Sequence, residues 1–203
     1  MTKLPTSDKT YGVIYADPPW RFFNFSAKGE GRNPISHYEC MSFDDLAAMP
    51  VPQLAAKDCV LLMWASDPLL PMAFKLIETW GFTYKTVGFY WSKLNKKVAG
   101  TTYTDRDFFT GLGYWTRANT EQCLLATRGR PKRLAKDVKR LIVAPRREHS
   151  RKPEDAYERI ERLTSGPYLE LFGRTTRPGW DSMGDQVGLF DDGGVETRRR
   201  PSD

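Results

Sequence analysis

The stretch Tyr11-Gly-Val-Ile-Tyr-Ala-Asp-Pro-Pro-Trp20 constrains the chain more than any other. Gly12 to Ala16 is a short, mostly apolar run, which suits a fully buried strand. Pro18 and Pro19 end that strand, because neither has an N–H for a ladder and each restricts the residue before it. A carboxylate (Asp17), two fixed carbonyls and an indole (Trp20) are thereby presented rigidly at the carboxyl end of a buried strand. Open α/β sheets bind their ligands at that end.

One chemistry in particular uses such a set. An exocyclic amine on a nucleobase is a poor nucleophile, because its lone pair is delocalised into the ring. A carboxylate and a backbone carbonyl can each accept one amine hydrogen, which draws the nitrogen toward tetrahedral geometry. An aromatic face beside them can stack a flipped-out base. Asp17, the Pro18 carbonyl and Trp20 supply these three groups. A Pro-rich turn with a buried Trp is the alternative for the tetrapeptide alone. Its position directly after a buried strand favours the chemical reading.

The rest of the chain alternates strands and helices. Arg21 to His37 is a long loop with aromatic anchors, in which Arg21, Lys28 and Arg32 are placed to meet phosphates; a connection without fixed structure is the alternative. Ser42 starts a helix, with Asp45 three residues on in a capping-box arrangement. Asp58 to Trp64 is a second buried strand. Asp67 caps a helix to about Thr79, with Pro68 at its first position and Gly81 beyond its end. Phe82 to Trp91 is a third strand, and Ser92 to Gly113 a second long loop. Lys93 and its neighbouring lysines and aromatics suit either a nucleic-acid surface or a solvated loop. Glu121 to Thr127 is a further strand whose first residues, Asn119 and Glu121, belong near the carboxyl-side mouth. Leu141 to Ala144 is a short strand, Pro153 opens a helix to about Leu163, and Tyr168 to Phe172 is the last expected strand. The fold class is therefore α/β, a mostly parallel sheet flanked by helices.

Composition narrows the classes. The 203 residues are 40% apolar and 28% charged, enough for one domain with a sizeable core. The expected division is a single domain over 1–190 and a disordered tail over 191–203. No apolar run approaches a membrane span. Three cysteines, Cys40, Cys59 and Cys123, without a CxxC, argue against a zinc site or disulfide framework and fit a cytoplasmic protein. The formal net charge of +6 is compatible with a polyanion partner. Arg128-Gly-Arg-Pro131 is similar to an AT-hook core, which lies in a narrow minor groove. A turn between elements is the stronger reading.

Asp17-Pro18-Pro19-Trp20 resembles motif IV of the adenine-N6 methyltransferases. Specifically, it resembles the family named after the seventy-kilodalton subunit of the eukaryotic mRNA adenosine methyltransferase, which also has bacterial and phage members. Tyr38 to Ser42, Leu62 to Trp64, Trp80 to Phe82, Ser150 to Pro153, Leu169 to Arg174 and Arg177 to Trp180 fall in the family's order and at about its spacing. The resemblance covers roughly Tyr11 to Val187. It implies a Rossmann-like S-adenosylmethionine-dependent fold with a circularly permuted, β-type motif order, since the glycine turn Gly173-Arg174 follows Asp17-Pro18-Pro19-Trp20 instead of preceding it.

The resemblance also implies residue roles. Lys152 corresponds to a lysine near the carboxylate of S-adenosylmethionine, and Arg174 to an arginine that holds the ribose. Asp185 and Gln186 correspond to a pair near ribose and adenine; the eukaryotic relatives have Asn where this chain has Asp185. Phe172 and Gly173 form the cofactor turn, and Asp17 also faces the cofactor's ammonium. Asn119, Glu121, Lys93 and Trp20 fall among the substrate contacts, and Pro18 and Pro19 complete the catalytic motif. Upstream adenine contacts of the family are missing or supplied by Ser7 and Asp8. The expectation is a stand-alone enzyme of bacterial or phage type, without a metal, acting on DNA or alternatively on RNA, with a homodimer compatible. A catalytically silent nucleic-acid-binding partner is the remaining alternative.

Overall fold

The computed structural model describes residues 9–20, 40–147, 151–184, 187–188 and 191. The expectations for Ser7, Asp8, Arg21, Lys28, Arg32, Asp185, Gln186 and the tail from 192 lie outside the described residues.

Seven strands form one sheet: β1 (Tyr11–Ala16), β2 (Ala55–Ala65), β3 (Thr83–Leu94), β4 (Thr120–Arg128), β5 (Leu141–Pro145), β6 (Tyr168–Leu171) and β7 (Trp180–Met183). Their order is β5-β3-β4-β2-β1-β6-β7. β1 pairs in parallel with β2 and β6, β6 with β7, and β3 with β5. Only β4 is antiparallel to its neighbours β2 and β3. The carboxyl ends of six strands and the amino end of β4 therefore share one rim.

Side chains alternate across the sheet, as a period of two requires. Ile14 and Ala16 of β1 face the helices α1 (Phe43–Ala47), α2 (Val51–Leu54) and α3 (Leu70–Thr79), packing with Leu46, Val51, Leu76 and Ile77. Val13 and Tyr15 face the opposite layer, with Trp64, Phe89 and Trp91 of the sheet and Ala156, Tyr157 and Ile160 of α4 (Glu154–Leu163). The three most deeply buried tryptophans, Trp64, Trp80 and Trp91, brace the layers, and the indole N–H of each is satisfied. Trp64 donates to the Tyr15 hydroxyl at 2.6 Å, Trp80 to the Leu46 carbonyl and Trp91 to the Ala144 carbonyl, both at 2.9 Å. Each such ring buries roughly 200 Å². At about 25 cal/mol per Å², that is about 5 kcal/mol gross per tryptophan.

Several expectations are borne out and several are corrected. Ser42 accepts the Asp45 N–H and Asp45 caps back, closing the capping box of α1. Asp67 does not cap a continuous helix: a 3-10 turn, Asp67–Leu69, comes first and α3 starts at Leu70. Pro71 at the start of α3 has no N–H to give, and the Asp67 carboxylate instead accepts from Gln122 at 2.7 Å. β3 runs three residues further than expected, to Leu94, and a second 3-10 turn, Asp105–Asp107, interrupts the loop that follows. β7 was not expected at all. It is four residues long with only its ends buried, so no alternation marks it.

The Arg128-Gly-Arg-Pro131 segment is a turn. Gly129 adopts φ 63°, Arg128 donates to the Pro52 carbonyl at 2.6 Å, and the Arg130 N–H donates to Asp58 at 2.7 Å. It closes the end of β4 that pairs with Cys59, on the rim opposite Asp17. The stronger of the two expectations, a turn between elements, is the one observed, and the half-buried first arginine of the segment is tied to the backbone of α2.

Candidate active site

The functional rim is built where β1 and β6 part. After β1 the chain turns through Pro18 and Pro19, and the Trp20 N–H donates to the Pro18 carbonyl at 2.8 Å. That carbonyl retains one lone pair for another donor. The Pro19 carbonyl takes the Met41 N–H at 2.8 Å, which pins the corner to the start of the α1 segment. Trp20 itself is 8% exposed and packs in the core layer of α1 to α3. Its indole N–H is buried and has no acceptor among the described residues.

Asp17 does not stand alone. Lys152 Nζ lies 2.9 Å from Asp17 Oδ2 and 3.1 Å from Glu121 Oε2, and the other Glu121 oxygen is bonded to Lys93. The result is a chain of alternating charges, Lys93–Glu121–Lys152–Asp17, along the rim. Lys152 is nearly buried, with its ammonium 5.2 Å from the centre of the Trp64 ring, and Lys93 lies 5.1 Å from that of Trp91. Two aromatic faces thus support the two cations. Burial pulls the Lys152 ammonium down, but Asp17 and Glu121 outweigh it and hold the group well above its ordinary value. Burial likewise pushes Glu121 up, and Lys152 and then Lys93 overcome it, holding the carboxyl at about 2. Lys152 and Glu121 therefore stay charged across the neutral range.

The other wall is the turn after β6. Phe172 adopts φ 64°, a region that bulky residues rarely enter, and leads into Gly173. A side chain on Gly173 would lie 3.1 Å from the Glu170 carboxyl carbon, so the backbone passes directly over that acid. Glu170 is 8% exposed. Its Oε1 accepts the Tyr157 hydroxyl at 2.7 Å, while Oε2 is buried without a donor among the described residues. Burial raises its pKa to about 7, and nearby Asp17 and Glu154 add to the rise against the Tyr157 bond and Arg177.

Asp17, Lys152, Phe172 and Arg174 line a single cleft between these walls, together with Tyr157 and Glu170. The structure thus brings Asp17, Lys152, Phe172, Gly173, Arg174, Glu121 and Lys93 to one rim. Asn119 is exposed there, and its carbonyl accepts the Lys93 N–H at 2.9 Å. Glu170, Tyr157 and the platform ring of Trp64 carry no expected role from sequence. Glu170 had a usable signal, an acidic residue within an apolar strand, where unpaired carboxylates are almost never buried. Tyr157 had none, since its position on α4 suits ordinary core.

The sheet, with one antiparallel strand beside the acidic corner and the glycine turn on the next strand but later in the chain, is a Rossmann-like methyltransferase fold with permuted motif order. The chain belongs to the MT-A70 family, whose pattern matches residues 11–186. It is 30% identical over 197 residues to the Type II methyltransferase M.MunI of Mycoplasma sp, covering 88% of this chain and 78% of that protein. It is 32% identical over 191 residues to the putative N(6)-adenosine-methyltransferase MT-A70-like of Medicago truncatula, covering 90% of this chain and 28% of the relative. Against the human N(6)-adenosine-methyltransferase catalytic subunit METTL3 it is 28% identical over 182 residues, 87% of this chain and 28% of that one. The chain thus spans about a quarter of the length of the plant and human relatives. No helix among the described residues is long and apolar enough to cross a membrane.

Proposed function

We propose that this protein transfers a methyl group from S-adenosylmethionine to N6 of adenine, with DNA as its substrate. The observation that carries the reading is the Asp17 carboxylate, fixed by Lys152 at 2.9 Å, on the cleft that also holds the Phe172–Gly173 turn. DNA is favoured because a relative of which this chain covers 78% is a Type II methyltransferase. The longer relatives name adenosine, a ribonucleoside, so RNA is the second reading.

The cleft fits the amino-acid end of the cofactor. Glu170 Oε2 is a buried oxygen without a donor among the described residues, which an ammonium would satisfy. Lys152 offers a cation to a carboxylate, Arg174 lines the same cleft where the family pattern assigns it to the ribose, and Gly173 lets the backbone approach. Asp185 and Gln186 remain assigned to ribose and adenine by the family pattern. Bound there, the cofactor supplies a methyl carbon made electrophilic by a sulfonium.

The protein's own contribution is positional. Asp17 Oδ1 accepts one hydrogen of the adenine amine, because Oδ2 is taken by Lys152. The free lone pair of the Pro18 carbonyl accepts the other. Together they turn the nitrogen lone pair toward the cleft. Trp20 closes the base site from the core side with the little surface it leaves exposed, its buried indole N–H having no acceptor among the described residues. Glu121 and Lys93 keep Lys152 in place and line the approach with Asn119. Orientation of this kind, with water excluded, is worth several powers of ten in rate. Incubation with labelled S-adenosylmethionine and matched DNA and RNA duplexes and single strands tests the proposal. N6-methyldeoxyadenosine identified by mass spectrometry is the expected product; methylation of RNA alone would select the second reading, and no methylated purine in either would refute both.

A further inference from the structure

The loop between β3 and β4 ends in a hairpin that the chemistry above does not use. Its base is tightly seated on the functional rim. The Phe109 N–H donates to the Lys93 carbonyl at 2.8 Å, the Lys93 N–H to Asn119 at 2.9 Å, and the Gly111 N–H to Ala118 at 2.8 Å. The Arg146 guanidinium lies 3.8 Å from the centre of the Phe109 ring. Its tip is open. Trp115 is fully exposed at 106%, with Leu112 at 54% and Tyr114 at 50%. Trp115 also adopts φ 65°, unusual for a bulky residue, and a Cβ on Gly113 would lie 2.2 Å from the Thr116 carbonyl oxygen. A backbone this constrained, used to hold the largest apolar side chain in water, is the kind of feature that a binding partner accounts for.

Position and charge identify the partner. Ala118 and Asn119 run directly into Glu121, which holds Lys152 and through it Asp17. Over residues 93–119 the segment carries Lys93, Lys96, Lys97, Arg106 and Arg117 against Asp105 and Asp107. The Asp107 carboxylate is engaged in capping Thr104. Lys96, Lys97, Arg106 and Arg117 are exposed. An aromatic tip in a positive surround suits stacked bases on a phosphate backbone, and it suits a second copy of a chain of net charge +6 poorly.

We propose that the 111–118 hairpin is a nucleic-acid wedge, in which Trp115 stacks on a base beside the target adenine while the surrounding cations meet phosphates. Filling the stack next to an everted base lowers the cost of eversion. The inference rests on the nucleic-acid reading of the active site, and the experiment separates the two.

Binding of a fluorescently labelled DNA duplex is measured by anisotropy at fixed salt for the wild type, Trp115→Ala and Trp115→Phe. Cofactor binding is measured alongside by calorimetry, and mass by sedimentation. Trp115→Ala is expected to bind DNA roughly 5- to 100-fold more weakly, the range of a lost base–aromatic stack. Trp115→Phe should recover most of that loss, and the affinity for S-adenosylmethionine should be unchanged in both variants. Equal DNA affinity in wild type and Trp115→Ala would overturn the proposal. So would conversion of a wild-type dimer to a monomer by Trp115→Ala, which would assign the tip to a second copy of the chain. A wild type that binds the cofactor but no nucleic acid would instead defeat the parent reading, and the wedge with it.

Discussion

Replacing Glu170 by glutamine removes a titration while keeping the shape of the side chain. In the folded protein the carboxyl holds its proton up to about pH 7, first because it is buried and then because Asp17 and Glu154 lie near it. In the unfolded chain the same group ionises near its ordinary 4.5. Its folded value is thus raised, and for an acid this means stability is lost as pH rises. Below 4.5 both states are protonated and the group contributes no pH dependence. Between 4.5 and 7 the unfolded chain releases a proton that the folded chain keeps, and unfolding becomes easier. Above 7 the loss is complete, at about 3 kcal/mol. Glutamine has no proton to release, and its carbonyl can still accept the Tyr157 hydroxyl that Oε1 accepts at 2.7 Å. Urea unfolding at pH 5 and pH 8 checks the reasoning. Between those two values the wild type should lose about 2.5 kcal/mol more than Glu170→Gln, because part of the full loss has already occurred by pH 5. The same pH slope in both proteins would show that Glu170 is ionised in the fold at pH 5, and would remove the buried acid from the account.

Three further outcomes follow from the same geometry. Lys152→Met leaves Asp17 and Glu121 facing each other across a nearly buried site without their cation. It should cost about 3–5 kcal/mol in urea unfolding at pH 7, and less near pH 3, where Glu121, no longer held low by Lys152, accepts a proton. Arg128→Ala should destabilise by about 1–3 kcal/mol, through the lost bond to the Pro52 carbonyl, and leave DNA affinity unchanged in anisotropy titrations. A fall in DNA affinity there would instead favour the minor-groove role for that turn. Asp17→Ala should bring methyl transfer to background in the labelled-cofactor assay while the circular dichroism spectrum is retained.

The centre of the sheet was the most legible part of the chain. β1 is a short, mostly apolar run followed by two prolines, and both features act locally, so no tertiary knowledge was needed to place Asp17 at a strand's carboxyl end. Capping at Ser42 and the dipole-matched start of α4, with Glu154 and Asp155 in its first turn, are equally local. The cofactor turn was different: Lys152, Phe172 and Arg174 were assigned by resemblance, and their convergence with Asp17 depends on the crossover that sets β6 beside β1. The charge relay from Lys93 to Asp17 joins residues up to 135 positions apart, which spacing alone does not reveal. The antiparallel sense of β4 was likewise invisible in its own residues, yet it is what puts Glu121 on the functional rim and Arg128 on the far one. Glu170 and Trp115 escaped notice for a shared reason. Their meaning lies in what surrounds them, a sealed cleft for one and open water for the other.

The account turns on the location of the sulfur atom relative to Asp17. A crystal structure with S-adenosylhomocysteine bound measures it directly. The account predicts the amino-acid end of that ligand against Glu170 and Lys152, with its sulfur facing the Asp17–Trp20 corner across a gap wide enough for one methyl group. Density for the ligand anywhere else, with the cleft between Asp17 and Phe172 filled only by solvent, would contradict it.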